Sequence, residues 1–218
     1  MNEIKSIFIT GGSGYIGKAL IEELSKSNYS ITVLCRKGSE NKIQKKTNIV
    51  FGDALKAETF QHLIPENSVF IQLIGTPHPG PHKKDLFESI DLVSGLESVK
   101  AATQKKTSHF IYLSVAQPAP IMKDYIRVRS RVEQEIQLSG INATILRPWY
   151  VLGPEHYWPS VLIPFYQLVK IFPPLKKRIG RFEFVSLKEI VQNIVFSIQN
   201  PPNGIRVWEV PDIKNRGS

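Results

Sequence analysis

Three glycines spaced three apart, Gly11, Gly14 and Gly17, stand between a short apolar run, Ile7-Phe8-Ile9, and a helix-period pattern carried by Ala19, Leu20, Ile21 and Leu24. A strand, a tight turn and a helix in that order leave few folds open. The first glycine permits the turn, the second lets backbone approach a ligand, and the third lets the helix pack closely against the sheet. Backbone N–H groups at the helix N-terminus lack partners and the helix dipole is positive there. The turn is therefore suited to a dinucleotide's pyrophosphate.

The rest of the chain repeats the alternation. Apolar runs at 30–34, 48–51, 68–74, 109–114 and 143–146 predict strands, with helices over 57–63, about 85–103 and 125–138. The run at 68–74 has the near-continuous apolar character of a strand covered on both faces. Such alternation predicts an α/β fold, a doubly wound parallel sheet of Rossmann type with right-handed crossovers. Residues 1–152 would form the dinucleotide-binding domain, and residues 153–218 a small C-terminal substrate lobe packed on it as one structural unit.

Composition limits what else the chain can be. With 218 residues, 42% of them hydrophobic, it can bury one substantial core. The single cysteine, Cys35, excludes a disulfide framework. No metal site is expected, because His78 and His82 sit in a Pro/Gly loop that fixes no ligand geometry. Met1-Asn2-Glu3 leads directly into the first strand and no apolar run reaches membrane-spanning length, so a cytoplasmic location is expected. The net charge of +9 is dispersed in small groups such as KIQKK and LKKR. Without a recognisable binding module beside it, this charge does not predict a nucleic-acid partner.

The order of motifs resembles the short-chain dehydrogenase/reductase superfamily in its extended or atypical branch, the epimerase/dehydratase-like and NmrA-like proteins, over nearly the whole chain. TGGSGYIG is similar to that branch's cofactor fingerprint, Gly52-Asp53-Ala54 to its adenine-contacting segment, and ILRPWYVLGP to the strand-end motif on the nicotinamide side. RFEFVSLKEIVQNIVFSI is similar to the returning segment, with Ser186 where an Asp is commoner. The resemblance implies cofactor contacts from Gly11, Gly14, Tyr15, Ile16, Gly17, Arg36, Asp53, Leu73, Gly75 and Pro148.

It also implies a catalytic Tyr with a Lys four residues on, aided by a Ser or Thr from the preceding strand end. The cation brings the tyrosine, whose ordinary pKa is about 10, into a useful range. Here the pair is Tyr125 and Arg129, one helical turn apart. Arginine keeps the charge, but its planar fork is bulkier than an ammonium. Ser114, ending the fifth strand, is the candidate hydroxyl, either catalytic or ordering the strand end and touching the cofactor. Val115 follows, where the family's hydroxyl can fall, and Asp91 stands at what looks like a family Asn position.

Cofactor identity turns on Arg36. An NAD site normally shows an Asp or Glu about 20 residues past the glycines, for the ribose 2′-hydroxyl. Arg36, followed by Lys37, would instead hold a 2′-phosphate through two parallel charge-assisted hydrogen bonds. NADP(H) is thus the preferred cofactor and NAD(H) the alternative. The apolar, aromatic stretch 158–175, closed by Lys176-Lys177-Arg178, has two readings. It lines a pocket for an apolar small-molecule substrate, which its prolines favour, or it lies on an anionic membrane surface. A monomer or homodimer is expected. The activity implied is oxidoreduction of a carbonyl or alcohol. A catalytically silent cofactor-binding sensor or accessory subunit is the alternative, and a nucleotide-sugar epimerase or dehydratase a weaker one.

Overall fold

In the computed structural model, which describes residues 6–43, 47–77, 79–118, 122–154 and 182–216, the first apolar run is an interior strand of the sheet, third of seven. The strands are β1 (Ser6–Thr10), β2 (Ser30–Cys35), β3 (Asn48–Phe51), β4 (Val69–Gln72), β5 (His109–Leu113), β6 (Ala143–Arg147), β7 (Tyr150–Leu152), β8 (Phe184–Ser186) and β9 (Ile205–Glu209). Seven of them form one sheet in the order β3-β2-β1-β4-β5-β6-β9, and β7 pairs with β8. Every pairing is parallel. The order reverses between β1 and β4, which opens a crevice at the carboxyl ends of those strands.

The helices are α1 (Tyr15–Leu24), α2 (Lys84–Leu86), α3 (Val93–Gln104), α4 (Lys123–Ser139), α5 (Leu187–Gln199) and α6 (Val210–Arg216). Successive side chains of a strand point to opposite faces, and the two faces of β1 are both apolar. Ile7 and Ile9 pack with Leu20, Ile21 and Leu24 of α1 and with Ile190, Ile194 and Ile198 of α5. On the other face Phe8, Phe70 and Phe110 pack with Val99 and Ala102 of α3 and with Val132 and Ile136 of α4. Each such large side chain, when fully buried, contributes roughly 1.5–3 kcal/mol.

Three features depart from the sequence expectations. Residues 57–63 are two 3₁₀ turns, Ala57–Thr59 and Gln61–Leu63, not one helix. The Thr59 hydroxyl donates to the Lys56 carbonyl at 2.8 Å, and Phe60 between the turns has a non-helical φ of −136°. The expected helix over 85–103 is interrupted by a π-helical segment, Phe87–Leu92. The third feature is β9, a strand of the main sheet next to β6. Residues 182–216 thus extend the sheet and its helical cover, while the apolar stretch 158–178 lies outside the described residues.

Ser186, where an Asp was the commoner choice, caps α5. Its hydroxyl accepts from the Glu189 N–H at 3.1 Å, and the Glu189 carboxylate accepts from the Ser186 N–H at 2.6 Å. This reciprocal pair satisfies two amides at the helix start. Among the described residues no helix is long and apolar enough to cross a membrane, and no group of acidic, His or Cys side chains could hold a metal ion.

Candidate cofactor and active site

The glycine turn has the conformation its sequence demands. Gly11 adopts a φ of +79°, and a Cβ there would lie 2.8 Å from the Leu73 carbonyl carbon at the end of β4. Gly17 is tight for another reason than the one expected. A Cβ on it would lie 2.6 Å from the Gly12 Cα, so its closeness serves the turn itself rather than the sheet. Gly14 is the N-cap of α1, in extended conformation, with no side chain capping the helix and no acidic residue in its first turn. A Cβ on Gly14 would meet only the Gly11 oxygen, at 3.2 Å. These features fit a dinucleotide pyrophosphate: open backbone, amides at a helix N-terminus, and no carboxylate to repel the anion.

A cleft of about 290 Å³ runs from this turn across the carboxyl ends of β4, β5 and β6. It brings together Gly11, Gly14, Tyr15, Ile16, Gly17, Leu73, Gly75 and Pro148 with Ser114, Tyr125 and Arg129. Arg36 and Asp53 lie away from it, at the ends of β2 and β3. Arg36 is exposed, one strand over from the glycine turn. Asp53 orders its own loop: its carboxylate accepts from the Leu55 N–H at 3.0 Å, while its N–H donates to the Thr59 hydroxyl at 2.9 Å. His78 falls outside the described residues, and His82 is exposed.

Tyr125 and Arg129 share one face of α4 with Glu133. The Arg129 guanidinium carbon stands 5.1 Å from the centre of the Tyr125 ring, and the Phe87 ring packs on Tyr125 at 4.9 Å. Arg129 is buried and fully engaged at its tip. Its Nη2 donates to Asp91 at 2.5 Å and its Nη1 to the Leu113 carbonyl at 3.0 Å. Asp91 in turn accepts from the Thr76 amide at 3.0 Å and the Thr76 hydroxyl at 2.5 Å. The π-helical segment is what aims both Phe87 and Asp91 at α4.

Arg129 acts on Tyr125 in the direction expected of a cation. Burial pushes the Tyr125 hydroxyl's pKa up, Arg129 lowers it, and the Asp91 charge adds to the rise. The net direction is upward because burial outweighs the guanidinium. Nearby Tyr112, wholly buried, is pushed up to about 12 by the same desolvation.

Ser114 lines the cleft, and its hydroxyl donates to the carboxylate of Glu133. Glu133 also accepts from Gln117 Nε2 at 2.9 Å and from Arg147 Nε at 3.1 Å and Nη2. Arg147 reaches the Glu209 carboxylate at 2.7 Å with its remaining nitrogen. Glu133, Arg147 and Thr76 were not among the residues that the sequence reading selected. The repeat of Tyr125, Arg129 and Glu133 at four-residue intervals carries a signal for the first of them.

Comparisons with known proteins bear on the family and the fold. Residues 11–156 match the family described as NAD(P)H-binding. A ceramide reductase from Caulobacter vibrioides is 22% identical over 97% of this chain, which spans 66% of that protein. The NAD+ complex of the Bordetella bronchiseptica enzyme WbmH superposes with a TM-score of 0.71 at 19% identity, covering 95% of this chain and 76% of that one. The NAD complex of UDP-glucuronic acid 4-epimerase from Bacillus cereus gives 0.68 at 18% identity, covering 93% and 76%. With a glycine turn at the switch point of a parallel sheet and a family match over most of its length, this chain belongs to the NAD(P)H-binding family of Rossmann-type proteins.

Proposed function

We propose that this protein is an NADP(H)-dependent reductase acting on the carbonyl of an apolar, lipid-like substrate. The observation that carries the reading is the place of Tyr125: in the cleft that the glycine turn opens into, together with Ser114 and Arg129. A phenol is protonated at neutral pH and can give its proton to an oxygen that gains negative charge. A bound nicotinamide supplies the hydride to the carbonyl carbon. Tyr125 gives its proton to the carbonyl oxygen as that oxygen gains negative charge, and recovers one from solvent after product leaves. Arg129 packs against the Tyr125 ring, its guanidinium carbon 5.1 Å from the ring centre, and Arg36 receives the 2′-phosphate. The name of the Caulobacter reductase supports both the direction and the substrate class.

A second reading is favoured by one observation: Arg129 and Ser114 are both committed to internal carboxylates. On that reading the chain binds the cofactor without catalysis. NADPH oxidation with long-chain ketones, with UDP-sugars as a parallel panel, separates the two. Ketone turnover that Tyr125→Phe removes, with NADPH binding intact, supports the reductase. NADPH binding without turnover in either panel sinks it in favour of the silent reading, and epimerisation of a UDP-sugar replaces it with sugar chemistry.

A further inference from the structure

The Ser114–Glu133 contact constrains what can enter the cleft. A serine hydroxyl has one proton and two lone pairs. The Ser114 proton is committed, because Glu133 has only acceptor atoms facing it and is 3% exposed. Glu133 is itself held in place: its Oε1 accepts from Ser114, Gln117 and Arg147 Nε, and its Oε2 from Arg147 Nη2. Among the described residues none donates to the Ser114 oxygen. Ser114 lines the cleft, is itself 5% exposed and has apolar Val115 beside it, so its oxygen is a nearly dry acceptor.

We propose that Ser114, oriented by Glu133, is a substrate-selecting acceptor that takes a hydrogen bond from a hydroxyl or amide N–H next to the reacting carbonyl. The proposal rests on the reductase reading for what reacts, and on the Ser114 geometry for what is selected. The strand-end hydroxyl that the family resemblance implies would aid the tyrosine at the carbonyl oxygen. Here the proton is turned inward, so Ser114 cannot donate to that oxygen and discriminates by the neighbouring group instead. Glu133 is a positioning residue: it never meets the substrate but decides which way the Ser114 proton points. A ligand lacking the donor would leave a buried acceptor unpaired, which is how a polar site rejects an analogue.

The test uses two amides that cannot be reduced, N-methyldecanamide and N,N-dimethyldecanamide, titrated calorimetrically into the NADPH-loaded protein. They differ in the donor N–H. The secondary amide should bind about tenfold more tightly, one hydrogen bond's worth. Ser114→Ala should erase the preference, and Glu133→Gln should shrink or invert it by freeing the serine proton. Equal affinity in the natural protein, no binding of either amide, or a preference that survives Ser114→Ala overturns the proposal. Since neither amide reacts, the preference is measurable in a protein that turns nothing over, and ketone turnover is measurable in a protein without the preference.

Discussion

Arg129 and Asp91 form a buried ion pair at 2.5 Å that joins α4 to the π-helical segment and, through Thr76, to the loop after β4. The side chains are 5% and 0% exposed, so neither charge has water to fall back on. Removing one partner of such a pair costs about 3–5 kcal/mol, whereas removing both together costs far less. Arg129→Met and Asp91→Leu should each be strongly destabilised in urea unfolding, and the double variant should recover much of the loss. Additive losses would show the two charges to be independent.

Gly14 and Gly17 should fail differently. Gly14→Val places its side chain where only one protein atom stands close, so the chain should fold with nearly unchanged Tm and lose dinucleotide binding. Gly17→Val drives a side chain into the Gly11–Gly12 backbone and should lose stability as well, by about 1–3 kcal/mol. Cofactor titration beside thermal melting checks both. Tight binding by Gly14→Val would remove the pyrophosphate from this turn.

Arg36, exposed one strand from the glycine turn, should set the preference between the two nicotinamide cofactors. Hydrogen bonds to charged groups are worth about 1.5–3 kcal/mol, so Arg36→Ala should reduce the NADPH-over-NADH ratio of affinities by roughly tenfold to a hundredfold. Added salt should reduce it too. Equal affinities in the natural protein would make Arg36 a bystander.

His109 predicts acid sensitivity. It is fully buried at the start of β5, with Nε2 3.0 Å from the Thr144 hydroxyl and Nδ1 without a partner among the described residues. Burial, aided by the Arg206 charge, lowers its pKa from 6.5 to about 4. The folded pKa is below the unfolded one, so the unfolded chain binds more protons between those values. The stabilisation is complete above about pH 6.5 and is lost as pH falls toward 4, a change of roughly 3 kcal/mol. His109→Asn should flatten that part of the stability profile in urea titrations between neutral pH and pH 4. A profile as steep as the natural one would place the acid response elsewhere.

Much of the sheet is legible in sequence because its strands are covered on both faces and therefore written as unbroken apolar runs, as in Val69-Phe70-Ile71. The glycine turn is legible because Gly11 and Gly17 exclude a side chain for local reasons and Gly14 leaves the backbone open at the helix start. The polar half of the site is not. Glu133 reads as an ordinary solvated helix residue, and its burial is explained by partners distant in sequence: Arg147 of β6, with Ser114 and Gln117 beyond β5. Asp91 was noticed by position, yet its pairing with Arg129 depends on a π turn that no periodicity announces. The turns at 57–63 do not follow the helical pattern of their sequence because the Thr59 hydroxyl occupies the Lys56 carbonyl that a helix would have used.

Arg147 bridges Glu133 on α4 and Glu209 on β9, and this ties the cleft to the far edge of the sheet. The glycine turn draws on β1, α1 and the end of β4, in the interior of the sheet. The Ser114 side of the same cleft leans, through Glu133 and Arg147, on β9 at the edge beside β6. A loosening of that edge strand would therefore be felt at Ser114 and not at the glycines.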